Sequence, residues 1–228
     1  MAVNPALAIH YLHELAGLEL SVDDFDPTFD EVKQTNEDSS KCNNIDYDYS
    51  TAAMRQLATC HLEGKGVETN QNMGMAWLQQ AYRTGDLDSA FETAVIYEYG
   101  KYGVAVDIYL ASQWFHGAAQ AGHVESMAEY AMCLELGCGV EQSDDGALDW
   151  YQKAAELGHV TAHYSVGEWF ESARGGLPQS DTEAVLWYFK AASMGDEDSK
   201  MALKRLSDIA RIVVPGWAAQ LATRVLNV

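Results

Sequence analysis

Four tryptophans, Trp77, Trp114, Trp150 and Trp187, stand 37, 36 and 37 residues apart. The same steps separate Gly66, Gly103, Gly139 and Gly176, and again Gly85, Gly122, Gly158 and Gly195. Three registers with identical steps identify copies of one unit. A unit this short cannot bury an apolar face alone, so neighbouring copies must stack. A repeat array is therefore the first constraint on the fold.

Each unit reads as an antiparallel helix pair. The first helices are expected at roughly 50–62, 88–99, 125–136 and 161–172, from their apolar periodicity. A small residue sits in the middle of each (Ala58, Ala94, Ala131, Gly167), and three residues later comes a large one (His61, Tyr97, Leu134, Phe170). Small residues let helices approach closely, and large ones fill the neighbouring groove. A glycine-containing loop such as EGKGV or LGCGV then ends the helix. The second helix carries the tryptophan, an alanine-rich stripe and a terminal glycine suited to a left-handed cap.

The words WLQQAYRTGD, WFHGAAQAGH, WYQKAAELGH and WYFKAASMGD, with their G-x-G-V loops, resemble the Sel-one-like repeat family, relatives of the tetratricopeptide repeat. The resemblance covers residues 51–198. KYGV and ARGG depart from it by one extra loop residue, and His61 replaces the usual aromatic. It implies an all-α chain, a right-handed α-solenoid of stacked antiparallel helix pairs with four repeats and capping helices at both ends. In that organisation residues 1–50 hold an N-terminal capping helix (ALAIHYLHELAG) and an acidic linker, and residues 199–228 hold the C-terminal capping helices. Within the linker, Asp26–Pro27 suits the start of a short helix, and Asn36 to Asn44 reads as a loop.

Composition bounds the partners. Hydrophobic residues make up 48% of the chain, enough for a core, and the net charge is −20. Such a field repels nucleic acid and anionic membranes and favours a basic protein. Residues 199–228 run against this trend, with five basic residues and one acid, Asp208. The four cysteines have irregular spacing, which suits free thiols in a reducing compartment. The start lacks the basic region and apolar core of a signal peptide, and no run is long enough to span a bilayer. The expectation is a soluble, cytoplasmic protein; its oligomeric state is left open.

Chemistry is sparse. His159 and His163 have the i, i+4 spacing of a helical zinc pair. However, His159 follows a repeat-ending glycine, where the other units place Asp86, His123 and Asp196. It should lie outside the helix that carries His163. His10 and His13, with Glu14, fit the polar side of an amphipathic helix. The Cys133–Cys138 spacing is wrong for a zinc knuckle. The chain has no P-loop, no nucleophile elbow and no S-x-x-K, and no metal or cofactor is expected.

Stacking in the manner of tetratricopeptide repeats implies that the first helices line a concave side. In that register the groove positions hold Phe91, Val95, Glu98, Tyr99, Met132, Glu135, Leu136, Tyr164, Glu168 and Glu171. Acids interleaved with aromatics and Met suit a partner segment with basic and apolar side chains. The reading that follows is a non-enzymatic scaffold or adaptor. The alternative is an immunity protein or a chaperone that neutralises a toxin or secreted effector; an enzyme or metal protein ranks third.

Overall fold

The computed structural model describes residues 44–210, together with His13 and Ala16. The described residues form nine α-helices and one short 3-10 turn, with no strand. They divide into two compact units between His123 and Val124. The first unit holds α1 (Asn44–Glu63), α2 (Gln71–Arg83), α3 (Leu87–Tyr99), the 3-10 turn Lys101–Gly103 and α4 (Ile108–Gln120). The second holds α5 (Val124–Leu136), α6 (Asp144–Glu156), α7 (Val160–Ser172), α8 (Asp181–Ser193) and α9 (Glu197–Ala210). Within each unit every helix packs chiefly on its neighbour in sequence, as in an α-solenoid of stacked helix pairs.

The alternation of 36 and 37 has a single source. Helices α2 to α8 are each 13 residues long. The seam between pairs is always three residues, as in 84–86, 121–123, 157–159 and 194–196. Only the loop inside a pair varies: it has seven residues at 64–70 and 137–143 and eight at 100–107 and 173–180.

Both ends of that loop are fixed chemically. Asn70, Asp107, Ser143 and Ser180 cap the second helices, their side chains accepting from the backbone N–H three residues on. At the seam the glycine is left-handed, with φ near 100° at Gly85, Gly122 and Gly195 and 92° at Gly158. The next residue's N–H closes back on the helix, Asp86 to the Ala81 carbonyl at 3.0 Å and His159 to that of Ala154 at 2.9 Å. This is the six-to-one bond of a Schellman ending.

In the first unit the core is built from Met54, Leu57 and Ala58 on α1, Met75, Trp77 and Leu78 on α2, Ala94 and Ile96 on α3, and Trp114 and Phe115 on α4. Tyr82 meets Trp114 edge-on at 5.6 Å, and the imidazole of His13 stands 5.3 Å from the Trp77 ring. In the second unit Ala184, Val185, Tyr188, Ala192, Ala202, Leu203 and Leu206 form one cluster joining α8 to α9. Gly167 shows why a small residue is needed at mid-helix: a Cβ there would sit 2.8 Å from the Tyr188 ring. Trp150 and Trp187 are only half-buried, each with a lysine ammonium over its face, Lys153 at 4.2 Å and Lys190 at 4.4 Å.

One boundary differs from the sequence reading. Helix α1 begins at Asn44, not near residue 50. The segment NIDYDYS is polar enough to read as linker, yet its backbone is already helical. The expected Asp26–Pro27 helix, most of the N-terminal capping helix and the last helix from Pro215 lie outside the described residues.

Candidate functional site

Helix α3 carries four of the expected site residues. Phe91, Val95 and Glu98 recur at helical spacing and are half-buried. The Phe91 ring packs 5.7 Å from Phe115 and 5.3 Å from the His123 imidazole. It is therefore part of the packing as well as a surface group. Burial pushes the Glu98 carboxyl above the usual range, against the pull of Lys101 and a hydrogen bond with the Tyr99 side chain. Tyr99 itself is exposed, with the Lys101 ammonium 5.8 Å from its ring centre. Beside this face Arg55 on α1 donates to Asp88 at 2.9 Å, and His123 Nε2 lies 3.2 Å from the other Asp88 oxygen.

The second unit holds the other six. Met132 and Leu136, on α5, are exposed. Glu135, between them, is engaged within the chain. It accepts from the Tyr151 hydroxyl at 2.9 Å and from Arg174 Nη1 at 2.5 Å. Arg174 also stacks on Trp169, 4.6 Å from the ring centre, and approaches Asp144 at 3.6 Å. The same device recurs one repeat later on α7. Glu171 accepts from the Tyr188 hydroxyl at 2.9 Å and from Arg205 Nη2 at 2.7 Å. Tyr164 donates to Glu168 at 2.9 Å and packs on the Tyr188 ring at 5.4 Å. Burial, reinforced by Glu168, raises the Tyr164 hydroxyl to about 12, so it remains a donor at neutral pH.

A cavity of about 330 Å³ lies among these groups, lined by Glu168, Trp169, Glu171, Ser172, Arg174 and Arg205. Glu171 is paired there with Arg205, Glu168 accepts from the Tyr164 hydroxyl, and Arg174, paired with Glu135, lies over the indole face. Such a lining suits hydrogen bonding and stacking with a peptide rather than attraction of a bare cation. The acidic residues of the second unit are thus less free than the sequence implies. The sequence reading missed Arg174 and Arg205. Each lies roughly one repeat beyond its glutamate, 39 and 34 residues on, which is the signal that could have found them.

The histidine pair has a structural explanation. His159 is the N-cap of α7, and its Nδ1 accepts from the Ala162 N–H at 3.2 Å. In the equivalent seam slot, Asp196 accepts from Ser199 N at 2.7 Å. His163 is buried inside the helix, its Nδ1 3.0 Å from the His159 carbonyl and its ring against Trp187. Among the described residues no group of three His, Cys, Asp or Glu is arranged to hold a metal, and no helix is long and apolar enough to cross a membrane.

Comparison with known proteins agrees with this architecture. The family model of the Sel1 repeat matches residues 51–86, 87–123, 124–159 and 160–196. A chitin synthase regulator, SKT5, of Malassezia restricta is 31% identical over 127 residues, which is 54% of this chain and 9% of that protein. Chitin synthase regulatory factor 3 of Schizosaccharomyces pombe is 30% identical over 155 residues, 61% of this chain and 16% of that one. The chain thus spans less than a fifth of the length of either relative. Among solved structures, a Sel1 repeat protein from Oxalobacter formigenes aligns with a TM-score of 0.64 at 22% identity, over 97% of this chain and 84% of that one. The protective antigen c5321 of uropathogenic Escherichia coli aligns at 0.66 and 22%, over 80% and 40%. At that identity the likeness concerns the fold alone.

Proposed function

Because this chain belongs to the Sel1 repeat family, whose arrays mediate protein–protein interaction, we propose that it is a non-catalytic adaptor that holds a protein segment carrying basic and apolar side chains. The observation that carries the reading is the exposure of large apolar side chains beside carboxylates on first-helix faces: Tyr99 near Glu98, and Met132 and Leu136 around Glu135. Exposed apolar groups cost solubility and contribute little to the core, so their retention points to use in binding. The net charge of −20 speeds encounter with a basic partner. Phe91, Val95, Tyr164, Glu168 and Glu171 complete the proposed contact set. In this role Phe91 and Tyr164 bind from positions already held by packing, a low-entropy arrangement.

The two relatives named as chitin synthase regulators support a regulatory adaptor role. What they share with this chain amounts to a small part of their length, so no particular enzyme is carried over as the partner.

The test is co-purification from the native source, followed by measured association of the recovered partner with Tyr99→Ser and Leu136→Gln variants. Both positions are exposed, so unchanged melting with at least about tenfold weaker binding is expected. Binding of equal strength to both variants and to the parent would reject these faces as the contact surface.

A further inference from the structure

A repeat array supplies its own control, because the same framework positions occur four times. The N-caps Asn70, Asp107, Ser143 and Ser180 mark one such register. The two residues after the cap are Gln71–Asn72, Asp144–Asp145 and Asp181–Thr182 in three copies, but Ile108–Tyr109 in the fourth. The residue before the cap is Thr69, Gln142 or Gln179 in those three copies, but Val106 in this one. Three repeats make the turn with polar residues, so folding does not require the apolar set.

These side chains face solvent: Tyr99 is 65% exposed, Val106 59% and Tyr109 62%. Ile108 and Tyr102 are also exposed. The loop holds them together as one edge. The Asp107 N–H bonds the Tyr97 carbonyl at 2.9 Å, and Val106 packs so closely on Gly100 that a Cβ there would meet its Cγ2 at 2.8 Å. Gln71 Nε2 donates to the Tyr102 carbonyl at 2.7 Å. Tyr102 is the inserted residue of GKYG, and it is held at φ 56°, a left-handed conformation that disfavours a bulky side chain. A tyrosine is kept there at a backbone cost, in the same loop as the exposed Val106.

We infer that the edge from Tyr99 to Tyr109 is a docking site for an extended or helical segment of a partner protein that carries aliphatic or aromatic side chains flanked by Lys or Arg. This deepens the adaptor reading and rests on it. Charge selects the occupant. Glu63, Glu92 and Glu98 surround the edge, Glu63 and Glu92 acting electrostatically on the Tyr102 hydroxyl. Lys101 is drawn over Tyr99, and Lys65 is ion-paired with Glu63. A second copy of this chain, also at −20, is disfavoured by repulsion.

The experiment selects a random displayed peptide library against the full chain and measures the strongest peptide, fluorescently labelled, by anisotropy. The decisive variant is Val106→Gln/Ile108→Asp/Tyr109→Asp, which installs residues that another repeat of this chain already folds with. Enrichment of apolar residues next to Lys or Arg is expected, with affinity reduced at least about tenfold in the variant and thermal melting preserved. A Leu157→Gln/Met201→Gln variant, at exposed positions outside the edge and outside the proposed contact set, should bind that peptide unchanged. If affinity falls in a Met132→Gln/Leu136→Gln variant and not in the triple variant, the edge site is wrong while the adaptor reading stands. If no peptide is enriched, if the enriched peptides are acidic, or if sedimentation finds a dimer that the triple variant abolishes, the proposed occupant is overturned.

Discussion

Arg174 reaches back from the loop after α7 to Glu135 at the end of α5, with Nη1 at 2.5 Å from Oε1. Its guanidinium meanwhile covers the Trp169 indole. One side chain thus ties adjacent helix pairs by charge while stacking on a ring of its own pair, and the Tyr151 hydroxyl fills a second acceptor site on the same carboxylate. Arg205, Glu171 and Tyr188 repeat the brace.

Glu135→Ala should therefore lower stability by about 1–3 kcal/mol, because it removes the acceptor shared by the Tyr151 hydroxyl and a partly buried guanidinium. Glu98→Ala should cost less, since Phe115 stands where Tyr151 and Tyr188 do and offers no hydroxyl. Urea unfolding of both variants checks the order. Equal losses would show that the brace adds nothing.

The tryptophans should separate into two classes. Trp114, buried at 2% exposure, should cost about 3–5 kcal/mol when changed to alanine. Trp150, half-buried under Lys153, should cost only about 1–2 kcal/mol. Thermal melts of the two variants decide it.

Ala173 adopts φ 55° where the other pairs place glycine at Gly64, Gly100 and Gly137. Ala173→Gly should stabilise the protein by about 1 kcal/mol, and Gly137→Ala should cost a similar amount. Nothing but ordinary contact lies within reach of a Cβ on Gly137, so that loss isolates the backbone term. Denaturant midpoints report both.

His159 caps α7 only while its Nδ1 is unprotonated. Burial lowers its pKa from 6.5, opposed by Glu125 and helped by His163. A depressed histidine pKa means that the unfolded chain binds the proton first. Its stabilising contribution is thus full above pH 6.5 and declines as the pH falls below that value. His61, lowered by burial and by His13, acts in the same direction. Replacing His159 with Asp, the residue that caps the equivalent helix at Asp196, should keep the cap and flatten the loss below pH 6.5. Melting curves across that interval would show an unaltered slope if the cap does not titrate.

The sequence made the helix pairs legible because each copy repeats the same local demands. A glycine must turn left-handed at Gly85 and its equivalents, and a small residue must meet a ring at Gly167. Pairings between copies were harder to see. The register places Glu135 on a face but does not say that a guanidinium 39 residues on will neutralise it. The start of α1 was hidden by acidic composition, which is shared by loops and by first turns of helices. The edge at Tyr99–Tyr109 was visible in the letters all along. It becomes meaningful only when the equivalent positions are compared and their exposure is known.

The constant three-residue seam gives this chain a natural splice point. Asp86, His123, His159 and Asp196 each close the preceding helix through the backbone N–H and precede the first residue of the next. Recombination at that residue leaves both neighbouring helices intact, whatever the length of the inner loops. Exchange at that point keeps the helix register, so a new module has only to re-form the contacts that cross between pairs, such as Glu135 with Arg174.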